Sequence, residues 1–196
     1  MANKVQYGIK NAHYAKLTVT TTGAITYSAP VAWPGAVSLA LDAEGESSVF
    51  YADDIPYYTA IKNNGYSGDF ESALVPQSFL TDIMGETVST SGVITENANA
   101  KPESFAFLFE FEGDASETKY VLYNCKMTRP SIESSTTEDG IEVQTVTGEI
   151  TAIPRPTDGI VKGVCVSTSA TAYSNWYTAV QFQAKEKGAR HGKHQY

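Results

Sequence analysis

Acid–base and nucleophilic chemistry needs a histidine, an activated thiol or two carboxylates set against each other, and this sequence offers little of each. Of three histidines, His191 and His194 fall in the last six residues, leaving His13 alone in the body. A Ser/His/Asp or Cys/His site would have to be built on His13, which has no supporting motif and reads as a surface or hydrogen-bonded histidine. No G-x-S-x-G elbow, Walker loop, H-E-x-x-H or C-x-x-C occurs. Two cysteines, Cys125 and Cys165, are too few for a disulfide framework or a four-ligand zinc site. They read as buried small hydrophobes in a protein made in a reducing compartment.

Carboxylate pairs suited to glycoside hydrolysis exist on paper: Asp53/Asp54, Glu110/Glu112 and Glu138/Asp139. Glu110 and Glu112 project from one strand face, and Trp33 and Trp176 are of the type that stacks on sugars. On an acidic chain such groups read first as solvated charges. Residues 42–54 hold enough oxygens for calcium but lack the D-x-D-x-D-G register. No metal or cofactor is expected. A carbohydrate-binding β-sandwich is the alternative reading of the aromatics, and a glycan-cleaving enzyme the third.

The elements that must position these residues are strands. The 196 residues contain 21 Thr, 15 Val, 12 Tyr and 8 Phe against only 7 Leu, a composition that fits a pleated surface better than a helix. Val37, Leu39 and Leu41 alternate with polar or small residues, the period of a strand with one buried face. Residues 57–61 read as a strand closed by an Asn63-Asn64-Gly65 turn. Residues 76–84 are the best helix: Pro76 at the start, an apolar face of Phe79, Leu80, Ile83 and Met84, and Gly85 at the end. The clearest segment is 104–112, where Phe105, Phe107, Phe109 and Phe111 share one strand face. Gly113-Asp114 then turn the chain into 120–123. With 15–20, 141–152 and 160–168, about eight strands emerge, a mainly β fold of sandwich or barrel type with one short flanking helix.

No run of 18 apolar residues is present and the N-terminus lacks a secretory signal, so no membrane partner is expected. Charge is unevenly spread. Residues 185–196 carry four bases and one acid, so the remainder holds a net −11 within the overall −8. An acidic body is repelled by phosphate backbones and is ill suited to gripping nucleic acid. The expected organisation is one β domain over 1–184 and a flexible basic tail over 185–196.

Several stretches together resemble the major tail proteins of long-tailed phages that infect Gram-positive bacteria. They are VQYGIKNAHY from Val5 to Tyr14, YADDIPYY from Tyr51 to Tyr58, NGYSGDFE from Asn64 to Glu71, and FLFEFEGD from Phe107 to Asp114. Tyr123-Asn124-Cys125 and Arg129-Pro130-Ser131 add to them. The likeness spans about residues 5–180, and order and spacing carry it rather than any one motif. It implies a tail-tube protein: a β domain forming hexameric rings that stack into a hollow tube through which double-stranded DNA passes transiently. The implied place is the virion tail, assembled in the host cytoplasm. The implied partners are further copies of the chain and the tape-measure, tail-terminator and distal tail proteins. On that reading Glu110 and Glu112 are candidates to face the bore. The stretch holding Asp42, Glu44, Glu46, Asp53 and Asp54 is a candidate inter-ring arm, disordered alone and ordered on polymerisation. Tyr57, Tyr58 and Trp176 are candidate subunit contacts.

Overall fold

Four phenylalanines at alternating positions need an apolar volume on one side of their strand, and the protein is built around that volume. The computed structural model describes residues 5–132, 143–166 and 170–182. Strand β8 (Phe105–Glu112) buries Phe105, Phe107 and Phe109 inward. Its neighbours are β1 (Tyr7–Val19) on one edge and β9 (Lys119–Met127) on the other, both antiparallel. The 113–118 connection to β9 is closed by Asp114, whose carboxylate accepts the Ser116 and Thr118 amides at 2.9 and 3.1 Å. That local bond is why an Asp starts the turn.

The remaining strands extend this sheet: β2 (Ile25–Tyr27), β3 (Val31–Ala32), β4 (Ala36–Ala52), β5 (Ile55–Ser72), β10 (Val146–Ala152) and β11 (Lys162–Cys165). Their order is β2-β1-β8-β9-β10-β5-β4, with β3 beside β1 and β11 beside β9, nine strands in all. A separate two-stranded ribbon pairs β6 (Thr87–Val88) with β7 (Ile94–Thr95). The sheet curls: β4, at one end of the order, returns beside β1 near the other end. Tyr14, Phe70, Phe107, Leu122, Ile150 and the half-buried Leu39 and Leu41 therefore face one common core. Mainly β architecture is thus as the composition implies, with eleven strands among the described residues where about eight are legible in the sequence.

Helix α1 (Gln77–Asp82) closes one end of the curl. Pro76 caps it at φ −60° and Gly85 follows its last turn at φ +77°, the asymmetry its sequence suggests. It inserts Phe79, whose ring lies 4.4 Å from Trp33, 5.1 Å from Tyr14 and 5.2 Å from Phe105. Trp33 is 1% exposed and donates its Nε1–H to the Leu74 carbonyl at 3.1 Å, so it is a core residue with no face for a sugar.

The opposite face of β1, β8 and β9 is covered as well. A short helix α2 (Ala170–Ser174) and the chain to residue 182 pack onto it, sealing Ala106, Leu108, Val121 and Tyr123 beneath Trp176 and Val180. Trp176, 3% exposed, is therefore interior and not a subunit contact of the folded chain. Cys125 and Cys165 are both buried and free, the role their scarcity suggests. Residues 185–196, Glu138/Asp139, Ile141, His191 and His194 lie outside the described residues.

The longest feature is a hairpin. β4 and β5 pair from Ala36↔Ser72 out to Ala52↔Ile55, joined by Asp53-Asp54 at φ +52° and +61°. Positive φ at both central residues is the two-residue type I′ turn that matches strand twist. The expected turn at Asn63-Asn64-Gly65 is instead a bulge within β5. Glu44 pairs Gly65 and Gly45 pairs Asn63, which leaves Asn64 over. The Asn63 side chain accepts the Gly65 amide at 2.9 Å, and Gly65 takes φ +116°. The arm expected over 42–58, disordered alone, is a paired hairpin in the single chain.

Candidate functional site

The two carboxylates first considered for chemistry have different fates. Glu110 is only 5% exposed, because the 170–182 segment lies over its face of β8. Its Oε1 accepts the Tyr177 hydroxyl at 2.7 Å and its Oε2 accepts the Asn11 amide at 3.2 Å. Lys119 and Lys10 stand 3.9 and 4.0 Å away. Lys119 in turn donates to the Tyr173 carbonyl at 3.1 Å and lies 3.8 Å above the Tyr173 ring. His13 stacks on Tyr177 at 4.2 Å, with its Nδ1 2.8 Å from the Asn11 carbonyl oxygen. Burial, and then the bond to Glu110, pushes the Tyr177 phenol well above its ordinary range. Glu110 is thus a satisfied anchor for the C-terminal cover, which removes it from the candidate bore-facing residues. Glu112, two residues on, is exposed.

An acidic surface does exist, on the outward face of β4, β5 and β10. Inward positions alternate along these strands as Leu39, Phe70 and Gly148, then Leu41, Gly68 and Ile150. The residues between them must face out. Cross-strand rows there read Ser38, Glu71, Thr147; then Ala40, Asp69, Glu149; then Asp42, Ser67, Thr151. Glu44 lies one step further along β4 and accepts the Ser67 hydroxyl at 2.6 Å. Hydroxyls of Thr145 and Ser38 donate to Glu71 at 2.5 and 2.8 Å, holding its carboxyl below the usual carboxylate range. Five carboxylates share this face with Lys126, which pairs Thr151 from β9. Asp69 and Glu149 are direct cross-strand partners, and like charges so placed cost stability. Sequence reasoning missed this face because register, not spacing, assembles it.

The outer half of the hairpin is the second surface. β10 accompanies β5 only from Ser72 to Tyr66. Beyond that point, among the described residues, β4 and β5 pair only with each other, leaving two open edges. Nine paired positions, from Glu44↔Gly65 to Ala52↔Ile55, at about 3.3 Å each make an arm of about 30 Å. Its large apolar residues are open to solvent: Phe50 62%, Tyr51 62%, Tyr57 72%, Tyr58 64% and Ile61 84% exposed. A second bulge near the tip leaves Tyr57 unpaired between Phe50↔Tyr58 and Tyr51↔Pro56. Asp42, Glu44 and Glu46 lie along the strand, with Asp53 and Asp54 at its tip, about 36 Å from Asp42 along the strand. These carboxylates cannot share one calcium ion, and among the described residues no group of three metal-ligating side chains converges.

No helix among the described residues is long and apolar enough to cross a membrane. The chain matches no family model and no curated protein.

Proposed function

We propose that the chain is a structural subunit that polymerises into a tail tube, as its sequence likeness implies. It works by shape and repetition and makes no bonds. The observation that carries this reading is the projecting hairpin, a paired arm whose aromatic tip and two open edges find no partner among the described residues. Monomeric proteins rarely leave such edges and apolar side chains uncovered. Covering Phe50, Tyr51, Ile55, Tyr57, Tyr58 and Ile61 is worth on the order of 10 kcal/mol gross, at about 1.5–3 kcal/mol for each fully buried residue. Association itself costs about 4–15 kcal/mol, so one arm contact is marginal. A ring presenting several arms at once multiplies the contact through effective concentration, which favours cooperative growth. Head-to-tail contacts of this kind close into rings or run on as open tubes.

The acidic face of β4, β5 and β10 supplies the wall such a tube needs. DNA carries one negative charge per roughly 1.7 Å, and a passage that must not hold it keeps its cations outnumbered by carboxylates, as Lys126 is on this face. Asp42, Glu44, Asp69, Glu71 and Glu149 take the bore-facing role that burial denies to Glu110, while the exposed Glu112 remains a candidate for it.

The test is electron microscopy and sedimentation of the purified chain at rising concentration, beside a variant in which residues 47–61 are replaced by Asn-Gly. Glu46 and Lys62, paired in the hairpin, then flank a tight turn. Rings or tubes from the intact chain and folded, non-polymerising monomers from the truncated one are the expected result. An intact chain that stays monomeric at every concentration refutes the proposal.

A further inference from the structure

The curled sheet is finished differently at its two ends. At the Phe105 end of β8, α1 fills the core with Phe79, Ile83 and Met84, all buried. At the Phe111 end nothing comparable is present among the described residues. There a cavity of about 250 Å³ is lined by Leu39, Leu41, Phe109, Phe111, Tyr120 and Leu122. Its origin is a parting in the sheet. The outer edge of β9 is followed first by β10 and then by β11, and β10 alone continues the sheet to β5. Past Ala152↔Tyr66, among the described residues, the link from β11 to the base of the arm is Lys162, whose Nζ donates to the Tyr66 hydroxyl at 3.0 Å. That ammonium is exposed, and among the described residues no carboxylate is placed to pair with it.

Resting on the self-assembly reading, we infer that this cleft receives the hairpin tip of a second copy of the chain, with Tyr57 in the cavity and Asp53-Asp54 against Lys162. Size and chemistry both argue for this occupant. Small-molecule pockets run about 300–1,000 Å³, whereas this cleft has room for one large side chain. Its lining is aliphatic and aromatic with a single cation at the rim. The tip offers the complement: an aromatic residue re-aimed by its bulge, beside two carboxylates on a tight turn. Tyrosine suits the role, since it brings large contact area at low entropic cost. A chain cannot dock on itself this way, because its paired arm carries the tip about 40 Å beyond Leu41. Donor and acceptor surfaces differ, so the contact is heterologous and propagates.

The test uses the full chain with three variants. Lys162→Glu should raise the concentration needed for polymerisation about tenfold or more while the chain still unfolds cooperatively as a folded monomer. Asp53→Asn with Asp54→Asn keeps residues that tolerate positive φ and should act in the same direction. A Tyr57→Cys, Lys162→Cys double variant should give a ladder of disulfide-linked oligomers on oxidation, beyond the dimers that either single variant can form. Polymers of the intact chain, with Lys162→Glu unaffected and no ladder, overturn this docking while leaving self-assembly standing. An intact chain that never polymerises overturns both.

Discussion

Replacing Tyr177 by Phe removes one oxygen and keeps the ring that stacks on His13. The lost interaction is the 2.7 Å hydrogen bond to Glu110, an ionised acceptor within a sealed face. Bonds to charged groups are worth about 1.5–3 kcal/mol, and Glu110 keeps Asn11 and the two lysines, so about 2 kcal/mol of destabilisation is expected. In urea, with a slope of about 1–3 kcal/mol per molar, the midpoint falls by about 1 M. The pH dependence adds a signature. In the folded chain the Tyr177 phenol titrates above its ordinary value of 10.0, chiefly through burial. An acid raised in this way contributes stability that is whole below pH 10 and lost as pH climbs towards the native value. The gap between the native chain and Tyr177→Phe should hold steady to about pH 10, then shrink by up to about 1.4 kcal/mol per unit. A change below about 0.5 kcal/mol at neutral pH, with a gap indifferent to alkali, would show that the 170–182 segment does not seal Glu110.

Further outcomes follow from the same geometry. Gly65→Ala should abolish the cooperative unfolding transition, since a Cβ there would sit 1.9 Å from the Ala152 carbonyl oxygen at φ +116°; a native-like melt argues against the bulge. Burial pushes the Cys125 thiol up, so thiol reagents should leave it unmodified until the chain unfolds, as mass spectrometry of labelled protein can check. Tyr123, pushed up to about 12 by burial, should stay protonated when the exposed tyrosines titrate, visible by ultraviolet absorbance. Glu149→Lys should relieve its clash with Asp69 and raise stability by about 0.2–1 kcal/mol in denaturant melts. Tubes built from that variant should also retain double-stranded DNA at low salt and release it as salt rises, as co-sedimentation would show.

What could be read before folding was local. Alternating phenylalanines mark β8 because a period of two leaves them no other common face, and Pro76 and Gly85 bracket α1 by their backbone preferences alone. Asn63-Asn64-Gly65 has the conformational preferences of a turn but stands inside a long strand. Residues at ease with positive φ serve a bulge as well as a turn, and only the long-range partner strand decides between them. Glu110 and Trp176 were misplaced by one missing fact, that residues 170–182 return to cover the second face of β8. No periodicity within 104–112 announces a cover supplied from sixty residues away. The acidic face is a matter of register, which brings Asp42, Asp69 and Glu149 into neighbouring rows although they are widely spaced in the chain.

The surplus residue at Asn64 sits where the hairpin parts company with β10. An unmatched residue adds twist and a bend, so the heading of the arm is set at this wrist and not by the curled sheet behind it. Sheet and arm can therefore be altered separately: removing Asn64 would straighten the ladder and swing the tip aside while leaving both halves intact. A filament built from such joints would owe its pitch to a single amino acid.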